Sequence, residues 1–281
     1  MKKKQLTNFA VNLLKKELKI DTGNSPLNDI TSNFLINKKK IKASIVARQK
    51  IILCGISFIN EFLKIYKNKL EIKNYFRDGH LIQKNDVILD IIGDPKLILL
   101  LERTVLNFIQ HLSSISTSTY ELIENLQNSK IQILDTRKTI TGLRFIQKYA
   151  TLIGGAKNHR FGLHDQIFIK DNHIKIAGGI DNVLKVINEK KISNFIIECE
   201  NKNQVEKAIN SGCKYILLDN MKKKELIEVI RLRKKKNIIF EISGGVNKRN
   251  ISKYKNLDIN YISSGFITQN PEPVDIGLDI F

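Results

Sequence analysis

Phe195-Ile196-Ile197-Glu198-Cys199, the helical segment Asn203–Ser211, and Tyr215-Ile216-Leu217-Leu218 followed by Asp219 make up the stretch whose reading decides the fold. Two short apolar runs flank a helix, and strands joined this way lie parallel in one sheet. The rhythm continues in both directions. Further β-like runs stand at Ile131–Thr136, Gln166–Ile169, Ile238–Ile242 and Tyr261–Ser263. Helix candidates alternate with them at Leu143–Ile153, Ile180–Lys190, Lys223–Lys234 and Asn247–Tyr254.

Nearly every strand in this series ends on a polar or charged residue. In order these are Arg137 and Lys138, Lys170 and Asp171, Glu198 and Glu200, Asp219, Ser243, then Ser264. Reactive groups at the carboxyl ends of successive strands are the pattern of a barrel enzyme. An open doubly wound sheet gathers such groups at one crevice only. Six converging ends favour a closed barrel, and six strands instead of eight make it irregular.

Residues 1–93 read differently. An amphipathic helix over about Leu6–Leu18 precedes β-like runs at Lys42–Ala47, Leu70–Phe76 and Val87–Ile92. Asp94 suits an N-cap and Pro95 a first helical position. The helix they open carries Leu97, Leu100, Leu101, Val105, Leu106, Ile109 and Leu112 at helical spacing. A bend is expected in the Ser/Thr-rich Ser113–Thr119, with helix resuming to about Leu126.

Composition narrows the function classes. No apolar run reaches the roughly 18–20 residues of a membrane span. Met1-Lys2-Lys3-Lys4 resembles the start of a signal peptide, but Gln5, Thr7, Asn8, Asn12, Lys15 and Lys16 interrupt any apolar core behind it. A soluble, cytoplasmic protein is expected. Cys54, Cys199 and Cys213 are three, without CxxC spacing, which argues against a disulfide framework or a zinc site. The net charge of +19 invites a nucleic-acid reading. Its lysines are spread over the chain, however, and the short runs Lys38–Lys40, Lys222–Lys224 and Lys234–Lys236 lack interleaved aromatics for base stacking. A positive field of this kind also collects anionic substrates.

Three candidate clusters carry chemistry. The first is basic: Arg137 and Lys138 in Asp135-Thr136-Arg137-Lys138-Thr139, His159 and Arg160 in Lys157-Asn158-His159-Arg160-Phe161-Gly162-Leu163, and Lys170 in Lys170-Asp171-Asn172-His173. Gathered cations are costly to bury unless anions meet them. Pairing with Asp135, Asp165 and Asp171 is the plain alternative to an anion site. The second cluster is Glu198 with Asp219, which could share Mg²⁺ or face a cationic transition state, or else bridge to the lysines. The third is the pair of turns Ser243-Gly244-Gly245 and Ser263-Ser264-Gly265, whose backbone amides could cradle a phosphate. In barrels that site commonly follows the last two strands.

The chain also resembles the quinolinate phosphoribosyltransferases. The likeness is carried by Glu102-Arg103-Thr104-Val105-Leu106-Asn107, by the three basic segments just quoted with Ile169 and Ile174, by Leu217-Leu218-Asp219-Asn220 and by Ser243-Gly244-Gly245. It runs from about residue 40 to the C-terminus. The resemblance implies an α/β fold made of an N-terminal α/β sandwich domain (1–104, completed by 267–281) and an incomplete α/β barrel (105–266). It implies a pentosyltransferase joining quinolinate to phosphoribosyl pyrophosphate, with release of carbon dioxide. It also implies a homodimer in which one subunit's sandwich domain caps the partner's barrel, with a trimer of such dimers left open; the composition leads to the expectation of neither a nucleic-acid nor a membrane partner.

Carried over by position, Arg137, His159, Arg160 and Lys170 would form the quinolinate carboxylate site, with Thr136 beside them and Arg103 reaching in from the neighbouring subunit. Lys138 and Lys170 would serve the pyrophosphate and the departing charge. Glu198 and Asp219 would hold ribose hydroxyls and Mg²⁺. Ser243, Gly244, Gly245, Ser264 and Gly265 would bind the 5-phosphate. Three departures stand out. Of the family's acidic Glu-Asp stretch and Gly-Asp-x-Thr near its start, only Asp29-Ile30-Thr31 is kept, after Lys19-Ile20-Asp21-Thr22-Gly23 and Leu27-Asn28. Thr141 stands where many members have Pro, and Gln269 where some have His or a basic residue. A sibling transferase of the same fold acting on another anionic base and a basic nucleic-acid-binding protein are the competing readings.

Overall fold

The structure is a computed structural model, and it describes residues 3–23, 28–233 and 237–281. The run Lys234–Lys236, the end of the expected Lys223–Lys234 helix, Leu27 and the first two residues lie outside these. The chain forms two compact units. One takes in residues up to Tyr120 together with Phe145–Gly154 and Pro271–Phe281, and the other is Glu121–Arg144 with Gly155–Asn270.

In the first unit the elements are α1 (Lys3–Asp21), α2 (Ile30–Leu35), β1 (Ile41–Ala47), β2 (Ile51–Ile52), α3 (Ile56–Leu63), β3 (Leu70–Asn74), β4 (Leu81–Ile82), β5 (Val87–Gly93) and the start of α4 (Pro95–Leu126). The second unit carries β6 (Gln132–Leu134). The chain then returns to the first unit for most of α5 (Arg144–Ile153). Next, in the second unit, come β7 (Ile167–Ile169), α6 (Asp171–Ile176), α7 (Ile180–Glu189), β8 (Phe195–Cys199), α8 (Lys202–Asn210), β9 (Tyr215–Asp219), α9 (Lys223–Arg231), β10 (Ile239–Ser243), β11 (Tyr261–Ser263) and α10 (Phe266–Gln269). Strand β12 (Ile276–Ile280) ends the chain in the first unit.

The first unit is an antiparallel sheet of order β12-β1-β5-β3. Ala43, Ile45, Leu89 and Ile91 of its strands share one core with Leu14 of α1, Ile59 and Phe62 of α3, and Leu97, Leu101, Val105 and Ile109 of α4. Helix α4 begins where the sequence places it: the Asp94 carboxylate accepts the Lys96 N–H at 3.0 Å. The bend expected at Ser113–Thr119 is absent, and α4 runs through it unbroken. The hydroxyls of Ser114, Ser116 and Thr119 donate to carbonyls one turn back, at 2.8, 3.1 and 2.7 Å. Ser113 and Thr117 accept the N–H groups of Cys54 and Ile52. These hydroxyls spend their hydrogen bonds on the helix and its neighbours, so they do not compete with the helix itself.

The second unit is a six-stranded parallel sheet of order β6-β11-β10-β9-β8-β7. No ladder joins β6 to β7 among the described residues. The free edge of β6 instead takes the backbone at Lys157, whose N–H donates to Ile133 O at 2.8 Å and whose carbonyl accepts Asp135 N–H at 3.1 Å. The closed barrel expected from six strand ends is therefore an incomplete one. The expected helix Leu143–Ile153 forms as α5, most of it in the first unit, and one helix expectation changes. Asn247–Tyr254 is a turn and a short 3-10 helix, Ile251–Tyr254, because Asn247 and Asn250 side chains bind nearby backbone groups.

The parallel sheet is two-faced, and side-chain alternation decides which residue meets which solvent. Ile133, Ile197, Cys199, Ile216, Leu218, Phe240, Ile242 and Ile262 face outward into a core shared with Val183, Val205, Leu226 and Val229 of the helices. The alternate positions Phe168, Ile196, Glu198, Leu217, Asp219, Glu241, Ser243 and Ser263 share the other face by register.

Candidate active site

The inner face opens into a cavity of about 650 Å³ at the carboxyl ends of the strands. Its lining includes Thr136, Arg137, Lys138, His159, Arg160, Lys170, Glu198, Asp219, Ser243, Gly244, Gly245 and Gly265. All three clusters read from the sequence therefore meet in one place. Ser264 does not line it: the residue is buried and its hydroxyl donates to Val246 O at 2.7 Å, bracing the glycine turn from behind. Arg103 is not in the lining either; it lies on α4 in the first unit, largely exposed beside Glu102.

Phe168 organises the basic side of the cavity. The His159 ring stacks on it, with centroids 5.4 Å apart and planes 16° from parallel. The Arg160 guanidinium carbon lies 4.8 Å and Lys170 Nζ 4.7 Å from the centroid of the same ring. Burial and the neighbouring Arg137 pull the Arg160 guanidinium below its usual range. Cations held together this way lower their mutual repulsion by taking up an anion. Arg137 Nε is buried without a hydrogen-bond partner, which leaves a donor for such an anion. Of the local acids, Asp135 accepts His159 N–H at 2.8 Å and the Asn158 amide, while Asp165 accepts Phe161 and Gly162 N–H at 2.6 and 2.9 Å and lies 2.9 Å from His164 Nε2.

The acidic side stands opposite. Lys170 Nζ donates to Glu198 Oε2 at 2.8 Å, so the bridging alternative for Glu198 is realised together with its place in the cavity. Burial nonetheless raises the Glu198 carboxyl above its ordinary range, with Asp219 and Asp171 adding to the effect and Lys170 opposing it. Asp219 is half-buried and accepts from the Asn220 amide at 2.7 Å.

The turn after β10 requires glycine. Gly244 and Gly245 have φ of +100° and +60°, and a Cβ on Gly244 would strike the Asn220 side chain. Gln269, at the position where a basic residue was noted as missing, lines the cavity. Phe168 and Glu241 also line it and were not singled out from the sequence. For Glu241 a signal existed, since a lone acid stands inside the apolar run Ile238–Ile242. Among the described residues no helix is long and apolar enough to cross a membrane.

Comparisons with known proteins agree across the chain. Residues 29–113 match the model of the quinolinate phosphoribosyl transferase N-terminal domain, and residues 115–279 match that of the C-terminal domain. A probable nicotinate-nucleotide pyrophosphorylase (carboxylating) of Methanocaldococcus jannaschii is 37% identical over 285 residues, covering 98% of both chains. One of Bacillus subtilis, bearing the same description, is 36% identical and covers 90% of this chain and 88% of its own. A crystal structure of nicotinate-nucleotide pyrophosphorylase from Ehrlichia chaffeensis superposes with a TM-score of 0.89 at 33% identity, covering 96% of this chain and 98% of that one.

Proposed function

The chain belongs to the quinolinate phosphoribosyl transferase family, and from that premise we propose how its own residues carry the reaction. The protein is a pentosyltransferase of de novo NAD biosynthesis. It transfers phosphoribosyl from phosphoribosyl pyrophosphate to quinolinate, giving nicotinate mononucleotide, pyrophosphate and carbon dioxide. Neither a transferase for another base nor a nucleic-acid-binding protein is favoured by these relatives.

The observation that carries the assignment of residues is the convergence of five basic side chains, the strand-end acids Glu198 and Asp219, and a glycine turn on one cavity. Quinolinate brings two negative charges, and the diphosphorylated sugar brings more. Arg137, Arg160 and Lys170, with His159 beside them, take the carboxylates; arginine can grip one with two hydrogen bonds, which fixes the ring. Holding the ring nitrogen against the anomeric carbon supplies much of the rate. Lys138 and Lys170 neutralise the pyrophosphate end, and the Ser243-Gly244-Gly245 turn with Gly265 holds the 5-phosphate. As pyrophosphate leaves, the ribose gains positive charge, and Glu198 is the carboxylate placed to meet it. The quaternised ring nitrogen then accepts the electrons of the departing carboxylate, and a proton replaces carbon dioxide on the ring.

Mg²⁺ fits this site as a companion of the substrate. Glu198 and Asp219 are two carboxylates on one rim, and no group of three metal-ligating side chains occurs among the described residues. One or two carboxylates completed by phosphate oxygens suit Mg²⁺, which when bound neutralises the leaving pyrophosphate. The active assembly in this reading is a cytoplasmic homodimer, with Arg103 supplied to the partner's cavity. Incubating the protein with Mg²⁺, quinolinate and phosphoribosyl pyrophosphate tests the reading: nicotinate mononucleotide should form, and its absence from folded protein would refute it.

A further inference from the structure

The cavity contains one acid that the reaction scheme does not use. Glu241 is wholly buried on β10, two positions before Ser243. Tyr215 OH donates to its Oε2 at 2.6 Å, and His159 Nε2 stands 3.4 Å from the same oxygen. Its other oxygen, Oε1, is buried with no hydrogen-bond partner. A carboxylate kept this way costs free energy, so the fold must gain something by retaining it.

The opposite edge of the imidazole shows what is gained. His159 Nδ1 accepts the Arg160 backbone N–H at 2.8 Å. A ring nitrogen that accepts carries no proton, so the proton of the neutral ring sits on Nε2, facing Glu241. Arg160 is held further along its length, where Nη1 donates to Gln166 O at 3.0 Å. Arg137, Arg160 and Lys170 already supply three cations around Phe168 and the cavity, and an imidazolium would add a fourth against Arg160.

We propose that Glu241 and Tyr215 are positioning residues that fix His159 as a neutral Nε2–H imidazole, so that His159 orients Arg160 while Arg137, Arg160 and Lys170 alone supply charge to the substrate carboxylates. The proposal rests on the quinolinate pocket described above. Because the ring is stacked on Phe168, hydrogen-bonded at Nδ1 and faced at Nε2 by the Glu241 carboxylate, which lies 3.4 Å away without a hydrogen bond between them, the Arg160 backbone is held at the root of its guanidinium. The recognition of a planar dicarboxylate then depends on a buried acid that acts through His159.

Nitrogen NMR of the full-length protein with ¹⁵N-labelled histidine tests this directly, with the signal assigned by its loss in His159→Gln. His159 should show the Nε2–H pattern of a neutral ring at neutral pH. Kinetically, Glu241→Gln and Tyr215→Phe should each raise KM for quinolinate about 10-fold, the scale of one hydrogen bond to a charged group. KM for phosphoribosyl pyrophosphate should stay unchanged and kcat should change far less. A His159 ring carrying its proton on Nδ1, or protons on both nitrogens, would overturn the proposal. So would an unchanged KM in both variants at unchanged melting temperature. Should Glu241→Gln fold poorly, Tyr215→Phe carries the kinetic arm alone. Failure of the wild-type protein to make nicotinate mononucleotide would strike the substrate reading, whereas the tautomer spectrum still decides the relay.

Discussion

Lys170 Nζ lies 2.8 Å from Glu198 Oε2 across the carboxyl ends of neighbouring strands, joining the basic and acidic halves of the cavity by one ion pair. The pair is unequal: the lysine side chain is 44% exposed and the glutamate 8%. Lysine can therefore turn to water or substrate, while the glutamate depends on whatever the cavity offers.

That asymmetry separates a catalytic Glu198 from a merely structural one. Burial, the largest influence, holds its folded pKa above the ordinary value, so ionising it costs folding stability. The cost is absent below the unfolded pKa and grows as pH rises through the raised folded value. Glu198→Gln should hence melt no lower than wild type near neutral pH, while kcat falls about 100-fold or more with quinolinate affinity kept. Melting curves and steady-state kinetics on the same samples check this. A lower melting temperature with normal turnover would return Glu198 to a structural ion pair.

Asp219 should behave differently from its neighbour. It lines the cavity half-buried and accepts a hydrogen bond from the Asn220 amide. Asp219→Asn is expected to raise KM for phosphoribosyl pyrophosphate and the Mg²⁺ concentration for half-maximal rate, with KM for quinolinate little changed. A Mg²⁺ titration at fixed substrates reads the effect, and an unaltered Mg²⁺ dependence would remove Asp219 from the metal.

Substrate choice follows from matched charge. Nicotinate lacks one carboxylate, so it forfeits at least one charge-assisted hydrogen bond, about 1.5–3 kcal/mol or roughly 10- to 150-fold in kcat/KM. Competition between the two acids measures the ratio directly. Equal use of both would contradict a dicarboxylate pocket built on Arg137, Arg160 and Lys170.

Arg103 offers a test of assembly. Arg103→Ala and Arg160→Ala should each be nearly inactive alone, since in the proposed homodimer each would remove a cation from the carboxylate pocket. Mixed under subunit exchange, the two should regain part of the activity, because one hybrid site then has both arginines. Proven exchange without recovery would place the two residues in the same subunit's site.

The sequence alone determined the strand series of the second unit. Phe195–Cys199 and Tyr261–Ser263 match their strands to the residue, and the other runs agree within a residue or two. Short β-branched runs between helices are local signals, and so is a charged residue where a run stops. Arg137, Lys138, Lys170, Glu198, Asp219 and the glycine turn were legible for the same reason, because each sits at a strand end that the pattern marks; His159 and Arg160, between α5 and β7, were legible only as a run of basic residues. Tertiary structure alone decided the rest. Whether Ser113–Thr119 bends depended on which backbone groups its hydroxyls met, and those of Ile52 and Cys54 are some sixty residues away. That α5 leaves the barrel's own series and that Lys157 takes the free edge of β6 are likewise long-range facts. Glu241 and Phe168 looked like interior strand residues, which they are; only the sheet's curvature into a barrel makes one face a cavity, and so turns a buried acid and a core aromatic into parts of an active site.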